Sequence, residues 1–379
     1  MMKKVLLGWL LCIVGVPMLY LFAGRELMLE AIEGKAPAWF NQILETFYPR
    51  FAIEKHRFDT HFFLSKADQV VIRFSLVQMF LLVFTSAYIF KLPFRNQVNA
   101  FWDTPVSVRQ VHWLRVLFYL GMLFFTYDWF YYLDLVRPAE IFYKPLLLLR
   151  ILNIDFPSVP VSGIVFGLLM LSYAGVIFWV KPVSCSIIST LLFVLMQGWL
   201  YSFEKIDHTF STLTYAALIM PFLVYEQQKA FRAASPQQAA WPLQLIRVCI
   251  AMVYVMAGLE KLLIAGTEWF NPESFRSYLF LHQAPAGLWV AQSDVLCTIL
   301  PFGAMLFQLG FCSILFFRRL TPFVLLAGIG FHAGTYILLE VGWYFNAWIF
   351  VYIFFIDWTW LDPYLPNRQT RATLTDGFQ

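Results

Sequence analysis

Six ionisable residues lie within or at the ends of long apolar stretches of this chain, and they are the first candidates for chemistry. They are Asp128, His208, Glu260, Lys261, His332 and Glu340. An ionisable side chain inside a membrane is costly, so such residues are functional candidates by default. Lysine and histidine are also the residue types that accept and donate protons in catalysis. This small set therefore predicts a polar site within an otherwise apolar protein.

Each of these residues also has a structural explanation, and the sequence leaves both open. Lys261 is equally explained by an amine that extends to the lipid headgroups. His332 is explained by a hydrogen bond between packed helices, and His208, next to Asp207, by capping of a helix. The carboxyl group of Asp128 could be held by the hydroxyl groups of neighbouring tyrosines. Because Glu260 and Lys261 are adjacent, they point to different faces of a helix and cannot form an i,i+4 pair.

The composition requires an apolar solvent around most of the chain. Of the 379 residues 60% are apolar and 19% aromatic, while only 13% are charged. A soluble domain has about a quarter of its residues charged, because hydrated groups must cover its surface. The net charge of +4 is small and spread out, which gives no indication of nucleic-acid binding. The five cysteines form no CxxC pair, so neither a disulfide framework nor a metal site is predicted.

The apolar runs predict an all-α polytopic membrane protein. A helix rises about 1.5 Å per residue, so about 20 residues cross about 30 Å of hydrocarbon. Ten runs are long enough, and the first is expected to be retained as an anchor: 5–23, 70–90, 112–135, 161–181, 186–203, 210–227, 242–264, 293–317, 321–340 and 344–361. The short link between 161–181 and 186–203 predicts a tight helical hairpin.

The density of Lys and Arg predicts the orientation. With both termini in the cytoplasm, the inner segments hold 12 Lys and Arg and the longer outer segments hold 11. The higher inner density follows the positive-inside rule. In this topology Lys261 lies about 28 Å along its outward-running helix, and His332 lies at or beyond the midplane. The candidate residues therefore fall in the outer half of the membrane, and we expect a polar pocket that opens outward.

Two outer segments are too long to be simple connections. Residues 24–69 have apolar positions at roughly helical spacing, which predicts amphipathic helices on the outer surface. Residues 265–292 are rich in aromatic side chains, which favour the membrane interface or could cap a cavity. Either segment could dock a protein partner.

Two groups of short motifs stand out in the second half of the chain. Residues 257–262 (Ala-Gly-Leu-Glu-Lys-Leu) are followed by Trp269, and Phe331-His332 are followed by the sequel 338–345, which includes Trp343. The first group resembles the lysine signature of the vitamin K-dependent gamma-carboxylase family, and the second resembles its Phe-His helix and the turn into the last span. That family includes bacterial proteins that share the horizontally transferred transmembrane (HTTM) domain. The segment 207–210 and the pair Arg115 and Gly121 match approximately, so the resemblance covers residues 105–360.

The resemblance implies a chemistry and a set of site residues. Lys261 would be the base that deprotonates a reduced naphthoquinone, and His208 and His332 would orient the quinone oxygen or stabilise a carbanion. Asp128, Trp269 and Trp343 are the expected cofactor-binding residues. A phenolic hydroxyl group has a reference pKa of about 10, so a neutral amine is needed to take its proton. An acidic Glu260 where the family has a second lysine favours the charged amine and opposes this role.

The resemblance also suggests a division of the chain. Residues 1–104 would form an anchor helix, an outer loop and a second span, 105–361 the carboxylase-like transmembrane domain, and 362–379 a cytoplasmic tail. The true carboxylases carry a large β-rich domain after the transmembrane part. Since this chain ends about 18 residues beyond the predicted last span, that domain is expected to be lacking.

Two functions remain open, in a bacterial inner membrane with the site facing the periplasm. One is a quinone-dependent monooxygenase or carboxylase-like enzyme. The other is a non-catalytic scaffold that binds lipid or an isoprenoid quinone and docks a partner through 24–69 and 265–292. A transporter is a weaker alternative, because the chain shows no paired repeats with interrupted helices.

Overall fold

A computed structural model of the protein describes residues 2–48, 51–203, 210–342 and 346–364. The described chain is almost entirely helical, which confirms the predicted all-α class. The α-helices are α1 Met2–Leu19, α2 Arg25–Glu33, α3 Ala38–Phe47, α4 Phe51–Glu54, α5 Thr60–Phe90, α6 Leu92–Asp103, α7 Val108–Thr126, α8 Trp129–Val136, α9 Leu147–Ile151, α10 Val159–Ile177, α11 Pro182–Tyr201, α12 Ser211–Arg232, α13 Trp241–Glu260, α14 Pro272–His282, α15 Pro285–Val290, α16 Asp294–Gly310, α17 Thr321–Leu339 and α18 Ala347–Phe350.

Shorter elements extend several of these helices. Tyr20–Gly24 and Lys261–Ala265 are π-helical turns, and the 3-10 segments are Arg137–Phe142, Gly266–Phe270, Phe311–Leu315, Arg318–Leu320, Val351–Phe355 and Thr359–Tyr364. Two strands of two residues each, β1 Val106–Ser107 and β2 Gln237–Gln238, pair antiparallel with Val106 opposite Gln238. This pairing joins the segments that precede the N-termini of α7 and α13.

Among the described residues, eight helical segments are long and apolar enough to cross a membrane, so the protein is an integral membrane protein. They are Leu7–Glu33, Thr60–Phe90, Val108–Phe142, Val159–Ile177, Pro182–Tyr201, Trp241–Phe270, Asp294–Leu315 and Arg318–Leu339. Each coincides with one of the ten apolar runs. The run 210–227 forms α12, which has 22 residues. Its last two turns are polar (Glu226, Gln227, Gln228, Lys229), and it is not among the eight.

The tenth run, 344–361, does not form one continuous helix in its described part, residues 346–361. Asn346 caps a single α-helical turn by accepting hydrogen bonds from two backbone N–H groups, and a 3-10 segment follows. At Ile356 the backbone becomes extended, with φ −89° and ψ 141°. Gln110 of α7 explains this break: its amide donates to the Ile356 carbonyl (2.7 Å) and its oxygen accepts from the Trp358 N–H (2.5 Å). A side chain thus replaces the backbone partners that a helix would supply.

Polar side chains fix where several spans begin. The carboxylate of Asp59 accepts from the Phe62 N–H (2.8 Å) at the start of α5, and the Ser107 hydroxyl accepts from the Arg109 N–H (3.2 Å) at the start of α7. The first N–H groups of a helix have no partner within the helix, and these caps supply one.

The chain divides into two compact units, 1–102 with 144–154, and 103–143 with 155–379. In the first unit a small apolar core, Met28, Ala31, Phe51 and Phe63, is covered by Phe40 and Leu44 of α3. The Arg150 guanidinium donates to the carbonyls of Glu45 (3.2 Å) and Thr46, which ties α9 to the end of α3. The segment 24–69 is helical as predicted, with α2 at the end of the first spanning segment and α3 and α4 beyond it. The location of these helices on the outer surface stays a prediction.

The second unit contains the predicted tight hairpin, α10 and α11. Gly175 allows the close approach of the two helices, since a Cβ there would lie 2.5 Å from the Cys185 sulfur. Arg115 of α7 is buried and donates to the carbonyls of Val176 and Ile177 (3.1 Å to the latter). Those carbonyls lie at the end of α10, where the helix has no further i+4 N–H donors. The Val176 carbonyl also accepts from the Trp179 N–H (3.3 Å), so this arginine caps the hairpin together with the backbone.

Candidate functional site

The lysine of the 257–262 motif follows the last residue of α13. Lys261 begins the π-helical turn that continues α13, and its side chain is half-buried. The amine donates to the Ala257 carbonyl (3.3 Å) and lies 5.2 Å from the centre of the Trp269 ring. A cation over an indole face is attracted by the ring quadrupole. These two contacts hold the Lys261 side chain against the protein.

Trp269 is itself anchored to a neighbouring helix. Its indole N–H donates to the Pro301 carbonyl of α16 (3.3 Å). Gly258 lets α16 approach α13, because a Cβ at that position would lie 2.9 Å from Leu309. The spacing of Gly258, Lys261 and Trp269 therefore has a packing reason as well as a chemical one.

The charge environment of Lys261 is sparse. Within the described ranges, no carboxylate lies within ion-pairing distance of its amine. Glu260 is the adjacent acidic residue, and its side chain is exposed. Among the described residues, the amine contacts the Ala257 carbonyl and the Trp269 ring, and Glu260 is its acidic neighbour.

The second polar centre is a buried hydrogen-bond chain around His332. The Nε2 atom of His332 shares a hydrogen bond with the Tyr254 hydroxyl (2.8 Å), which shares another with the Tyr352 hydroxyl (2.9 Å). The Tyr254 ring stacks on Phe311 at 4.2 Å between centroids. Gly328 makes room for Tyr352, because a Cβ there would lie 2.1 Å from the hydroxyl oxygen. Three elements, α13, α17 and Val351–Phe355, thus meet at one buried polar chain.

The two centres lie on one face of α13 but do not touch. Tyr254 and Lys261 are seven residues apart, which is about 20° short of two turns and about 10 Å along the axis. Within the described part of the chain no hydrogen bond or ring contact joins Lys261 to His332. The expected convergence of Lys261 and His332 is therefore not a direct contact.

The remaining predicted site residues are separate from this arrangement or lie outside the described residues. Asp128 lies at the turn between α7 and α8, where its side chain makes no capping hydrogen bond. No hydrogen bond or ring contact of the described residues joins it to Lys261, Trp269 or His332. His208 and Trp343 lie outside the described residues.

Sequence reasoning missed Tyr254 and Tyr352. Tyr254 could have been found, since it precedes Lys261 by seven residues and carries a polar group into an apolar run. Tyr352 had no such signal, because nothing in its surrounding residues 346–356 distinguishes a buried hydroxyl group from an interfacial one.

The segment 265–292 contains short helices that pack against α16. Arg276 of α14 donates to the Ala291 carbonyl (2.8 Å) and to the carboxylates of Glu273 and Asp294. The hydrogen bonds to the carboxylates of Asp294 and Glu273 raise the pKa of Arg276 above its usual value. Leu279, Val290 and Ala291 form a small core with Cys297. Aromatic side chains such as Tyr278 and Trp289 remain exposed.

An apolar groove lies beside the His332 chain. Its volume is about 330 Å³, within the lower range of ligand cavities. Its walls include Leu117, Leu325, Ile329, Ile349, Ile353 and Ile356. Over the residues that the structure describes, no group of three or more His, Cys, Asp or Glu could hold a metal ion.

Comparison with known proteins agrees with the motifs over part of the chain. Residues 224–360, just over a third of the chain, match the family model described as the HTTM domain. The match includes Tyr254, Lys261, Trp269 and His332, and it confirms the HTTM resemblance there. No curated protein and no solved structure matches this chain.

Proposed function

We propose that this membrane protein, with an HTTM domain at residues 224–360, acts on a reduced isoprenoid naphthoquinone with the amine of Lys261 as the base. The observation that carries the proposal is a half-buried amine with no carboxylate partner in the described chain, held against the face of Trp269. A lysine removed from water favours the neutral amine, which can accept a proton.

In the first proposed step, one proton passes from the hydroquinone to the amine. A phenolic O–H bond of the hydroquinone breaks, and the Lys261 nitrogen forms a new N–H bond. The resulting ammonium remains over the Trp269 ring, which stabilises a cation. The phenolate then reacts with dioxygen, the oxidant of the oxygenation or epoxidation that the family resemblance implies. One oxygen atom enters the epoxide, and the other leaves as water with the two hydroquinone protons, which returns Lys261 to the neutral amine.

The proposal gives His332 a supporting role. Its hydrogen bond to Tyr254 holds α13 against α17 two turns below Lys261. His208, Asp128 and Trp343 keep the roles that the family resemblance implies. Among the cofactor-binding candidates, Trp269 has its ring centre 5.2 Å from the amine.

The test is turnover of a reduced naphthoquinone with dioxygen by purified protein. We expect the wild type to form the epoxide and Lys261→Ala to lose at least about a hundredfold in rate, as for loss of a general base. Lys229→Ala is the matched control, since Lys229 is an exposed lysine beside Glu226 (3.8 Å). Equal rates for the wild type and Lys261→Ala would refute the role of Lys261.

A scaffold is the second candidate, and one observation favours it. Trp39, Ile43 and Phe47 recur every four residues on α3 and are 55%, 49% and 74% exposed. Such a stripe fits the lipid interface or a partner helix. A photocrosslinker at Ile43 would distinguish this candidate from the enzyme: a specific protein adduct, together with quinone binding but no turnover, supports the scaffold.

We also propose a bacterial inner membrane, with both termini in the cytoplasm and Lys261 toward the periplasm. The pairing of β1 with β2 supports placing 91–111 and 228–241 on the same side. Labelling of cysteines in intact cells tests this in a variant without native cysteines. Ser277→Cys should react with an impermeant maleimide and Ala233→Cys should not; the reverse pattern overturns the orientation.

A further inference from the structure

The apolar groove has one polar end, and helix geometry shows where it is. On α7, Gln110 precedes Leu117 by seven residues, so both lie on nearly one face. Gln110 is bonded to the backbone of Ile356 and Trp358, which closes that end of the groove. The groove therefore runs from the Gln110 end of α7 toward the interior of the span.

Arginines lie at the same end. Arg318 precedes Leu325 by seven residues, and the 3-10 segment Arg318–Leu320 leads directly into α17. Arg247 of α13 donates to the Phe354 carbonyl (2.7 Å) and to the Gln244 side chain (3.2 Å). Arg318 is a charged neighbour of Arg247. Cationic groups thus gather where the apolar walls end.

These cations have little to neutralise them. Over the described ranges, no carboxylate lies within ion-pairing distance of Arg247, Arg318 or Arg319. Asp357 is the acidic neighbour of Arg247. One oxygen of its carboxylate accepts hydrogen bonds from the backbone N–H (3.0 Å) and the hydroxyl group (2.8 Å) of Thr359.

We propose that this groove is a binding site for an anionic phospholipid, with an acyl chain in the groove and the phosphate between Arg318 and Arg319. Guanidinium groups match phosphate oxygens in geometry and charge. Basic pockets between membrane helices are a known type of anionic headgroup site. The continuity of apolar walls with a cationic end favours a whole lipid over a free phosphate, which would use only the arginines.

The site is separate from the proposed quinone chemistry. Lys261 lies at the opposite end of α13 from Arg247, 14 residues away or about 21 Å along the axis. Failure of the lipid site would therefore leave the Lys261 proposal standing, and the reverse also holds.

The experiment measures lipid bound to the full chain in mild detergent by native mass spectrometry. We expect phosphatidylglycerol to bind about tenfold or more tightly than phosphatidylcholine. The double variant Arg318→Gln/Arg319→Gln should lose about fivefold per arginine. Arg232→Gln, an exposed arginine at the end of α12, is the matched control and should retain wild-type binding.

A second pair of variants tests the groove without touching the charges. Ile329 is 43% exposed at the groove wall, and Leu326 is 68% exposed on the same helix outside it. We expect Ile329→Trp to fill the groove and reduce phosphatidylglycerol binding severalfold, and Leu326→Trp to leave it unchanged.

Three results would overturn the proposal. The first is equal binding of phosphatidylglycerol and phosphatidylcholine. The second is full competition by inorganic phosphate at the lipid's own concentration, which would indicate a free-anion site. The third is phosphatidylglycerol binding that neither the double arginine variant nor Ile329→Trp reduces.

Discussion

Tyr254→Phe isolates the contribution of the buried hydrogen-bond chain. The substitution removes one oxygen and keeps the ring that stacks on Phe311. That oxygen makes two hydrogen bonds, to His332 (2.8 Å) and to Tyr352 (2.9 Å). Both partners are buried, so water does not replace the lost bonds.

The expected cost follows from these two bonds. A hydrogen bond contributes about 1 kcal/mol net in proteins and about 0.6 kcal/mol between membrane helices. Two bonds therefore contribute about 1–2 kcal/mol, and the stranded buried partners bring the total to about 2–4 kcal/mol. Tyr352→Phe removes only the second bond, so we expect about half that loss.

The assay is equilibrium unfolding in mixed micelles, with SDS as denaturant and tryptophan fluorescence as the signal. Tyr225→Phe, at an exposed position of α12, is the control and should leave the free energy of unfolding unchanged. The reasoning fails if Tyr254→Phe is as stable as the wild type, or if Tyr352→Phe costs more than Tyr254→Phe.

Two further substitutions test packing and capping in the second unit. Gly121→Val should destabilise the fold by about 1–3 kcal/mol, because a Cβ there would lie 2.0 Å from the Phe350 ring. Gly167→Val is the control, since a Cβ at that position has no neighbour within 4 Å. Equal unfolding midpoints of the two variants would contradict the close approach of Gly121 and Phe350. Arg115→Met should cost about 3 kcal/mol, since it removes two charge-assisted hydrogen bonds to the carbonyls that end α10. An unchanged midpoint would show that this arginine does not cap the hairpin.

One difference between the predicted and the observed helices has a long-range cause. The apolar runs located the eight spanning segments, because length and apolarity alone decide whether a segment can cross hydrocarbon. The run 344–361 is equally apolar, yet Gln110 interrupts its helix at Ile356 from a position 246 residues earlier in the chain. A hydrogen bond over such a separation leaves no trace in the local pattern.

The candidate site was predictable only in part. Lys261 and Trp269 are eight residues apart, and the two short helical turns between them, Lys261–Ala265 and Gly266–Phe270, bring the amine and the ring into contact. The partner of His332 comes from α13, 78 residues away in sequence, so nothing near His332 could identify Tyr254. The family resemblance indicated His332 as a site residue, and the structure showed its hydrogen bond to Tyr254.

The sequence by itself determined that this is a membrane protein, because so many long apolar helices can be solvated only by lipid. It also indicated the ionisable residues that such a solvent makes costly, Lys261 and His332 among them. The tertiary structure alone decided which of them meet. Lys261 and Tyr254 share one face of α13, and the distance of about 10 Å along that helix separates Lys261 on Trp269 from Tyr254 on His332.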